Sequence, residues 1–345
     1  MATISQRLHH NTQANTANTH HQREFITEEI QGLIRVHRNG HVERPPIVPR
    51  VSSTTSSESG VTARDVVINK DTNLWARIYV PLISSSHSKS NHIIPLLVYF
   101  HGGGFCVGSA AWKCYHEFLT NLAFKATCVI VSVEYKLAPE NPLPAAYDDG
   151  LNVLMWVKRE AQNVSCSVQK WWLSHCNLSC MFLAGDSAGA NIAYNVATRL
   201  GTSSPLSLKG VILIQPFFGG EERTFSEKHS LQPPNSALTL SVSDTYWRLA
   251  LPHGANRDHP YCNPFVPHAK LRDLRIPSIM VCASELDILR DRNLEFSNTL
   301  TKAGKRVETM IYKGVGHAFQ VLHNYQLSQS RTQEMLSHIS NFLNQ

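Results

Sequence analysis

The residues best suited to chemistry are the five from 185 to 189, which read Gly-Asp-Ser-Ala-Gly. They directly follow a short apolar run typical of a buried strand, and a helical pattern begins at Ala190. A serine at the tip of so tight a strand-to-helix turn must adopt a strained backbone, and its neighbours must be small because strand and helix approach closely. The pattern predicts that Ser187 is a nucleophile whose hydroxyl projects above a sheet.

A second motif, His101–Gly104, follows the strand-like run that ends at Phe100. Consecutive glycines leave their backbone N–H groups unshielded, so these groups can donate hydrogen bonds to a ligand oxygen. In enzymes with such a nucleophile turn, this loop and the residue after the nucleophile stabilise a developing oxyanion. We therefore expect Gly103, Gly104 and Ala188 to be the donors. A phosphate-binding loop is not supported, because no Lys-Ser or Lys-Thr pair follows the glycines.

A serine hydroxyl is a poor nucleophile at neutral pH, so it needs a base, and the base needs a partner that orients it. His317 lies in a glycine-containing loop directly after the last strand-like run, where the base of such a triad belongs. The acid is expected in the loop after the run 277–283, which offers Glu285, Asp287 and Asp291. We choose Asp287, and we expect the other two to be carboxylates of a solvated loop or a helix start.

The elements that must position these residues are short apolar runs alternating with helical patterns. Eight runs are predicted as strands, at 64–69, 74–80, 94–100, 127–133, 180–185, 209–215, 277–283 and 307–313. Five helices are predicted, at 111–126, 145–159, 188–200, 293–303 and 332–343. An antiparallel opening pair that leads into alternating strands and helices predicts a doubly wound α/β fold. Its eight-stranded sheet should be mostly parallel, with helices on both faces.

Two segments stand outside this alternation. Residues 1–22 are rich in His, Asn, Gln and Thr and are expected to form a mobile tail, which leaves 23–345 as one α/β domain. Apolar residues recur at helical spacing over 25–36, which predicts a short amphipathic helix. The interval 217–274 shows no strand-like run, and we expect it to form a cap over the site together with 23–45. The aromatic residues expected to line an apolar pocket in this cap are Phe217, Phe218, Tyr246 and Trp247.

Composition narrows the class of protein. The 345 residues are 42% apolar and 17% charged, which is typical of a soluble globular protein. The net charge is +6, but the basic residues are scattered, so no nucleic-acid partner is expected. No apolar run is long enough to span a membrane, and residues 1–22 show no signal-peptide pattern, so we expect a cytoplasmic protein. The eight cysteines are then expected to be reduced, and Cys176 and Cys180 lack the second pair that a zinc site needs.

These motifs, together with Glu-Tyr-Lys-Leu-Ala-Pro-Glu at 134–140, resemble the plant carboxylesterases of the hormone-sensitive lipase group. The resemblance covers about residues 25–343, and shorter stretches within it resemble one subgroup of these proteins. It implies an α/β-hydrolase fold, hydrolysis of esters of small acyl groups, and no metal or organic cofactor. The family's catalytic residues fall on Ser187, Asp287 and His317, with oxyanion donors in the His101–Gly104 motif and at Ala188. One departure is Lys136, where many relatives have Arg, and we interpret that position as structural.

Two other functions remain open at the level of the sequence. The gibberellin receptors resemble this family and bind a small acid without converting it, but they lack the catalytic histidine that His317 supplies here. A lyase or cyclase that uses the same pocket is the other alternative, since hydroxyisoflavanone dehydratases and some alkaloid cyclases are related. Ser187 fits a hydrolase and is compatible with a lyase. The expected partner in the favoured function is a small-molecule ester.

Overall fold

The computed structural model describes residues 25–54, 60–82, 94–163, 168–200, 208–230, 232–233, 236–265 and 276–345. The tail expected at 1–22 lies outside these residues, as does the stretch 266–274 of the expected cap.

The chain opens with a small antiparallel sheet. Its strands are β1 (Ile26–Ile30), β2 (Ile34–His37) and β3 (Val42–Glu43). The helix predicted over 25–36 is therefore wrong. Ile30 and Ile34 are four apart in sequence, which satisfies helical spacing, but they face each other across a hairpin turn and are both buried. Gly32, with φ of +74°, allows that turn.

The predicted eight-stranded sheet is confirmed, and its strand boundaries differ from the prediction by at most four residues. The strands are β4 (Val61–Asn69), β5 (Leu74–Pro81), β6 (Ile94–Phe100), β7 (Val129–Glu134), β8 (Cys176–Asp186), β9 (Leu208–Ile214), β10 (Ser278–Ser284) and β11 (Val307–Tyr312). Their order is β11-β10-β9-β8-β6-β7-β5-β4. β6 to β11 run parallel, whereas β5 is antiparallel to both of its neighbours. Because parallel strands end at the same edge, the loops after β6, β8, β9 and β10 meet there.

Helices cover both faces of this sheet. They are α1 (Lys113–Ala126), α2 (Ala145–Gln162), α3 (Lys170–Leu173), α4 (Ala188–Leu200), α5 (Phe225–His229), α6 (Leu240–Ala250), α7 (Arg290–Lys302), α8 (Phe319–Leu322) and α9 (Ser328–Leu343). Along β6, Val98 and Phe100 belong to the core cluster that includes α2, α4 and α7, whereas Leu97 and Tyr99 face the cluster that includes α1 and α9. This alternation is what a strand buried on both faces requires. None of the described helices is both long enough and apolar enough to cross a membrane.

The segments outside the sheet are fastened by ion pairs. The described part of 217–274 contains α5 and α6 and no strand. Arg248 of α6 contacts Glu28 of β1 at 2.8 Å, so α6 and the small sheet lie together. The buried Arg292 of α7 pairs with Glu227 of α5 through two hydrogen bonds of 2.8 Å. These contacts hold both segments near the edge at which the parallel strands end.

Candidate active site

Ser187 occupies a sharp turn between β8 and α4. Its φ is +53°, a strained conformation for a residue with a side chain, and its N–H donates to the carbonyl of Ile214 at 2.8 Å. Gly185 and Gly189 flank this turn, and neither position has room for a side chain. A Cβ on Gly189 would lie 2.6 Å from the carbonyl oxygen of His101, and one on Gly185 would lie 2.7 Å from that of Phe100. The local sequence therefore builds the turn that presents the serine hydroxyl.

The structure brings the predicted nucleophile, base and acid into one hydrogen-bonded chain. The Nε2 atom of His317 lies 2.8 Å from Ser187 Oγ, and its Nδ1 lies 2.7 Å from Asp287 Oδ2. All three side chains are buried. In this geometry Asp287 Oδ2 can accept a hydrogen bond from the Nδ1–H of His317, and Nε2 can accept one from the Ser187 hydroxyl. The other oxygen of Asp287 accepts the N–H of Leu289 at 3.0 Å, which fixes the carboxylate.

The two remaining acid candidates do not reach His317. Glu285 accepts the N–H of Gly314 at 2.8 Å, so its carboxylate holds the loop that carries the histidine. Asp291 lies in the first turn of α7, as expected, and accepts the N–H of Ser226 at 2.6 Å. Both carboxylates thus brace backbone near the site. Glu285 lies in the loop after β10 and is half-buried.

The glycine loop has the conformation that only glycine adopts freely. Gly103 and Gly104 have φ of +120° and +59°, and the N–H groups of Cys106 and Val107 both donate to the Gly103 carbonyl. The ring of Tyr246 from α6 lies directly against Gly104, in the space that a Cβ would need. Within the described part of the chain, the N–H groups of Gly103, Gly104 and Ala188 have no hydrogen-bond acceptor. They remain available for an oxygen of a ligand.

His101, the first residue of that loop, packs its ring beneath the protein surface and contacts the next residue of the loop. Its ring is fully buried and stacks on Tyr135 at 4.3 Å between centroids, and its Nδ1 lies 2.8 Å from the Gly102 carbonyl. Burial lowers the pKa of His101. A ring held in this way fixes the start of the glycine loop.

Asp186 is a site residue that the sequence analysis missed. Its carboxylate accepts hydrogen bonds from the hydroxyls of Tyr99 and Tyr115 at 2.8 and 3.0 Å. It also accepts the N–H of Gly102 at 3.0 Å. Burial raises the pKa of Asp186 to about 6, although these hydrogen bonds oppose the shift. The residue before the nucleophile is therefore tied to the glycine loop by a buried carboxylate.

The aromatic residues of the expected cap divide into two groups. Trp247 stacks on Phe217 at 4.5 Å, and Phe217 also meets Tyr246 edge to face. Phe218 instead packs against Tyr194 and Phe296 in the core. Tyr246 contacts the glycine loop at Gly104.

Within the described ranges, no three His, Cys, Asp or Glu side chains are grouped so as to hold a metal ion. The seven described cysteines are free thiols. Burial raises the pKa of the Cys128 and Cys282 thiols to about 12, so both are protonated at neutral pH.

Comparisons with known proteins place this geometry in a family. A family model described as an alpha/beta hydrolase fold matches residues 97–321. The chain is 47% identical over 334 residues to probable carboxylesterase 6 of Arabidopsis thaliana, covering 96% of this chain and 95% of that protein. The chain belongs to the plant carboxylesterases of the α/β-hydrolase fold. By this membership it is a carboxylic-ester hydrolase, and the fold expected from the sequence is confirmed.

Other plant carboxylesterase relatives carry different names. The chain is 33% identical to the 2-hydroxyisoflavanone dehydratase of Glycyrrhiza echinata, over 92% of this chain and 96% of that one. It is 37% identical to a gibberellin receptor of Arabidopsis thaliana, over 86% and 84%. Among solved structures, a hyperthermophilic esterase from the archaeon Pyrobaculum calidifontis is 27% identical. That match has a TM-score of 0.66 and covers 81% of this chain and 82% of that one.

Proposed function

We propose that this plant carboxylesterase hydrolyses esters of small acyl groups through a covalent intermediate on Ser187. The observation that carries the proposal is the buried hydrogen-bonded chain from Asp287 through His317 to Ser187, with distances of 2.7 and 2.8 Å. It lies at the end of a strained turn and beside a glycine loop in which the N–H groups of Gly103 and Gly104 have no acceptor among the described residues. These are the parts that acyl transfer needs.

In the first half of the reaction, Ser187 Oγ attacks the ester carbonyl carbon while His317 Nε2 takes the hydroxyl proton. Negative charge then develops on the carbonyl oxygen, and the N–H groups of Gly103, Gly104 and Ala188 donate to it. Asp287 stabilises the imidazolium that has formed. The bond to the leaving alcohol oxygen then breaks, and His317 returns its proton to that oxygen.

In the second half, a water molecule takes the place of the alcohol. His317 accepts a proton from the water, whose oxygen attacks the acyl carbon and forms the same type of oxyanion. The bond to Ser187 Oγ then breaks, the serine recovers its proton from His317, and the free acid leaves. The proposal uses no metal and no organic cofactor, because the chain's own residues meet every charge that develops.

The substrate in this proposal is a small-molecule ester, as the names of the esterase relatives suggest. We assign the cap over the site to 25–45 and to the described residues of 217–265. The contact of Tyr246 with Gly104 supports this assignment, since it brings α6 against the glycine loop. The acyl or alcohol group then packs against Tyr246 and the neighbouring pair of Phe217 and Trp247.

The experiment that tests the proposal is hydrolysis of p-nitrophenyl acetate, butyrate and octanoate by the wild type, Ser187→Ala and Ser132→Ala. Ser132 is a matched control, because its buried hydroxyl on β7 has no hydrogen-bond partner among the described residues. We expect Ser187→Ala to lose at least about 10⁴-fold in kcat, and Ser132→Ala to stay within about 2-fold of the wild type. Equal activity of wild type and Ser187→Ala would overturn the proposal.

The same experiment distinguishes the two alternatives suggested by the names of the relatives. For this purpose each protein is also treated with diethyl p-nitrophenyl phosphate, which phosphorylates an activated serine. Labelling of Ser187 without turnover of any ester would favour a lyase. Absence of both labelling and turnover would favour a receptor.

A further inference from the structure

Gln215 holds an unusual position at the end of β9. It is fully buried and has a φ of +48°, a conformation that residues with side chains seldom adopt. Its N–H donates to the carbonyl of Cys282 in β10 at 2.7 Å. The backbone is thereby fixed between two strands, and the side chain leaves it in a set direction.

The side-chain amide of Gln215 bonds both neighbours of His317. Its Oε1 accepts the N–H of Ala318 at 2.7 Å, and its Nε2 donates to the carbonyl of Gly316 at 3.3 Å. The same Nε2 donates to Ser284 Oγ at 2.5 Å, and Ser284 ends the strand that precedes the acid loop. One amide thus spans the loops that carry the base and the acid.

The nucleophile is anchored to the same strand end. Ile214, directly before Gln215, accepts the N–H of Ser187 at 2.8 Å. Ile214 at the end of β9 and Gln215 directly after it therefore fix the serine turn and the histidine loop relative to each other. A shift of about 1 Å in such an arrangement is enough to lower a rate about 100-fold.

We propose that Gln215 is a positioning residue, which sets the approach of His317 to Ser187 and Asp287. This inference rests on the proposed function. An amide suits the place because it presents an acceptor to Ala318 and a donor to Gly316 at once. Methionine has a similar length and makes neither bond. An ionised glutamate accepts from Ala318 and repels the Gly316 carbonyl, whereas a protonated glutamate can again donate and accept.

The test compares wild type, Gln215→Met and Gln215→Glu, with Gln169→Met as the control. Gln169 accepts a hydrogen bond from Trp172 Nε1 at 3.1 Å, just before β8 begins, whereas Ser187 follows the other end of that strand. For each protein we would measure kcat, KM and the pH profile with p-nitrophenyl butyrate. For each protein we would also measure the Tm and the rate at which diethyl p-nitrophenyl phosphate phosphorylates Ser187.

We expect Gln215→Met to lower kcat and the phosphorylation rate by about 10- to 100-fold while KM changes by less than about 3-fold. Gln169→Met should leave kcat within about 2-fold of the wild type, even if its Tm falls as much as the Tm of Gln215→Met. The ratio of kcat for Gln215→Glu to that of the wild type should rise as the pH is lowered, because a buried carboxyl becomes protonated readily.

A kcat of Gln215→Met that falls no further than that of Gln169→Met at equal loss of Tm would overturn the inference. A ratio for Gln215→Glu that does not change with pH would also overturn it. In both cases an active wild type leaves the proposed function intact. A wild type that neither hydrolyses esters nor becomes phosphorylated overturns the proposed function, and the inference with it.

Discussion

Replacing Asp186 by Asn should change how stability depends on pH, because this carboxyl is buried beside the nucleophile. Burial raises the pKa of Asp186 to about 6, whereas the ordinary value is 3.8. The folded protein therefore binds a proton more readily than the unfolded chain between these two values. Stability rises with pH only where the unfolded state binds more protons, so this group makes stability fall as the pH rises through that window.

The size of the effect follows from the same shift. The pKa of Asp186 differs by about 2 between the folded and the unfolded state. This difference corresponds to about 3 kcal/mol, since a pKa difference of 1 is worth about 1.4 kcal/mol. The free energy of unfolding of the wild type, minus that of Asp186→Asn, should therefore fall by about 3 kcal/mol between about pH 3 and pH 7. Constant effects of the substitution on hydrogen bonding cancel in this comparison, because they are present at every pH.

The assay is urea unfolding of both proteins at several pH values in that range. The control is Asp258→Asn, because a hydrogen bond from the Glu221 N–H lowers the pKa of this exposed Asp258 carboxyl. Asp258 stabilises the fold above its unfolded pKa and loses that effect as the pH falls, so its difference should have the opposite sign. A difference for Asp186 that stays constant, or that rises with pH, would refute the reasoning.

Three further predictions concern the turn that carries Ser187, the cap and the thiols. Gly189→Ala places a Cβ 2.5 Å from the Phe100 carbonyl carbon, so it should destabilise the fold by at least about 3 kcal/mol in thermal unfolding. An unchanged Tm would contradict the packing of the turn. Tyr246→Ala should raise the ratio of kcat/KM for octanoate over acetate esters by about 10-fold, whereas Tyr246→Phe keeps the wild-type ratio. Equal ratios in all three proteins would exclude Tyr246 from the acyl pocket. At about pH 8, iodoacetamide should modify the half-buried Cys180 before the fully buried Cys128 and Cys282, since burial raises the pKa of both to about 12. Peptide mapping that finds Cys128 modified as fast as Cys180 would contradict the burial.

The sheet and the central residues of the site could be predicted because their signals are local. An apolar run followed by Gly-Asp-Ser-Ala-Gly specifies strand, turn and helix in consecutive residues. The positions of His317 and Asp287 directly after predicted strands indicate both residues, and the parallel sheet brings such positions to one edge. Their catalytic role stays a prediction until it is measured.

The features that sequence reasoning missed depend on contacts between distant residues. Ile30 and Ile34 fit a helix as well as a hairpin, and the packing of β1 beside α6, marked by the pair of Glu28 and Arg248, favours the hairpin. Asp186 acquires its role from the hydroxyls of Tyr99 and Tyr115, which no spacing rule connects to it.

Glu285 and Gln215 show the same limit at the loop that carries the base. Glu285 accepts the N–H of Gly314, and Gln215 reaches both neighbours of His317 across 101 and 103 residues of sequence. The sequence offers Glu285 only as a candidate for the acid and offers no role for Gln215, so neither of these contacts could be predicted before the fold was known.

The most direct test of the central claim is to locate the covalent adduct formed with diethyl p-nitrophenyl phosphate. The protein, Ser187→Ala and His317→Gln would each be treated, digested and mapped by mass spectrometry. We predict one adduct in the wild type, on the peptide that carries Ser187. It should be absent from Ser187→Ala and form at least about 100-fold more slowly in His317→Gln. A wild type that hydrolyses esters but carries its adduct on another residue, or none at all, would contradict the account.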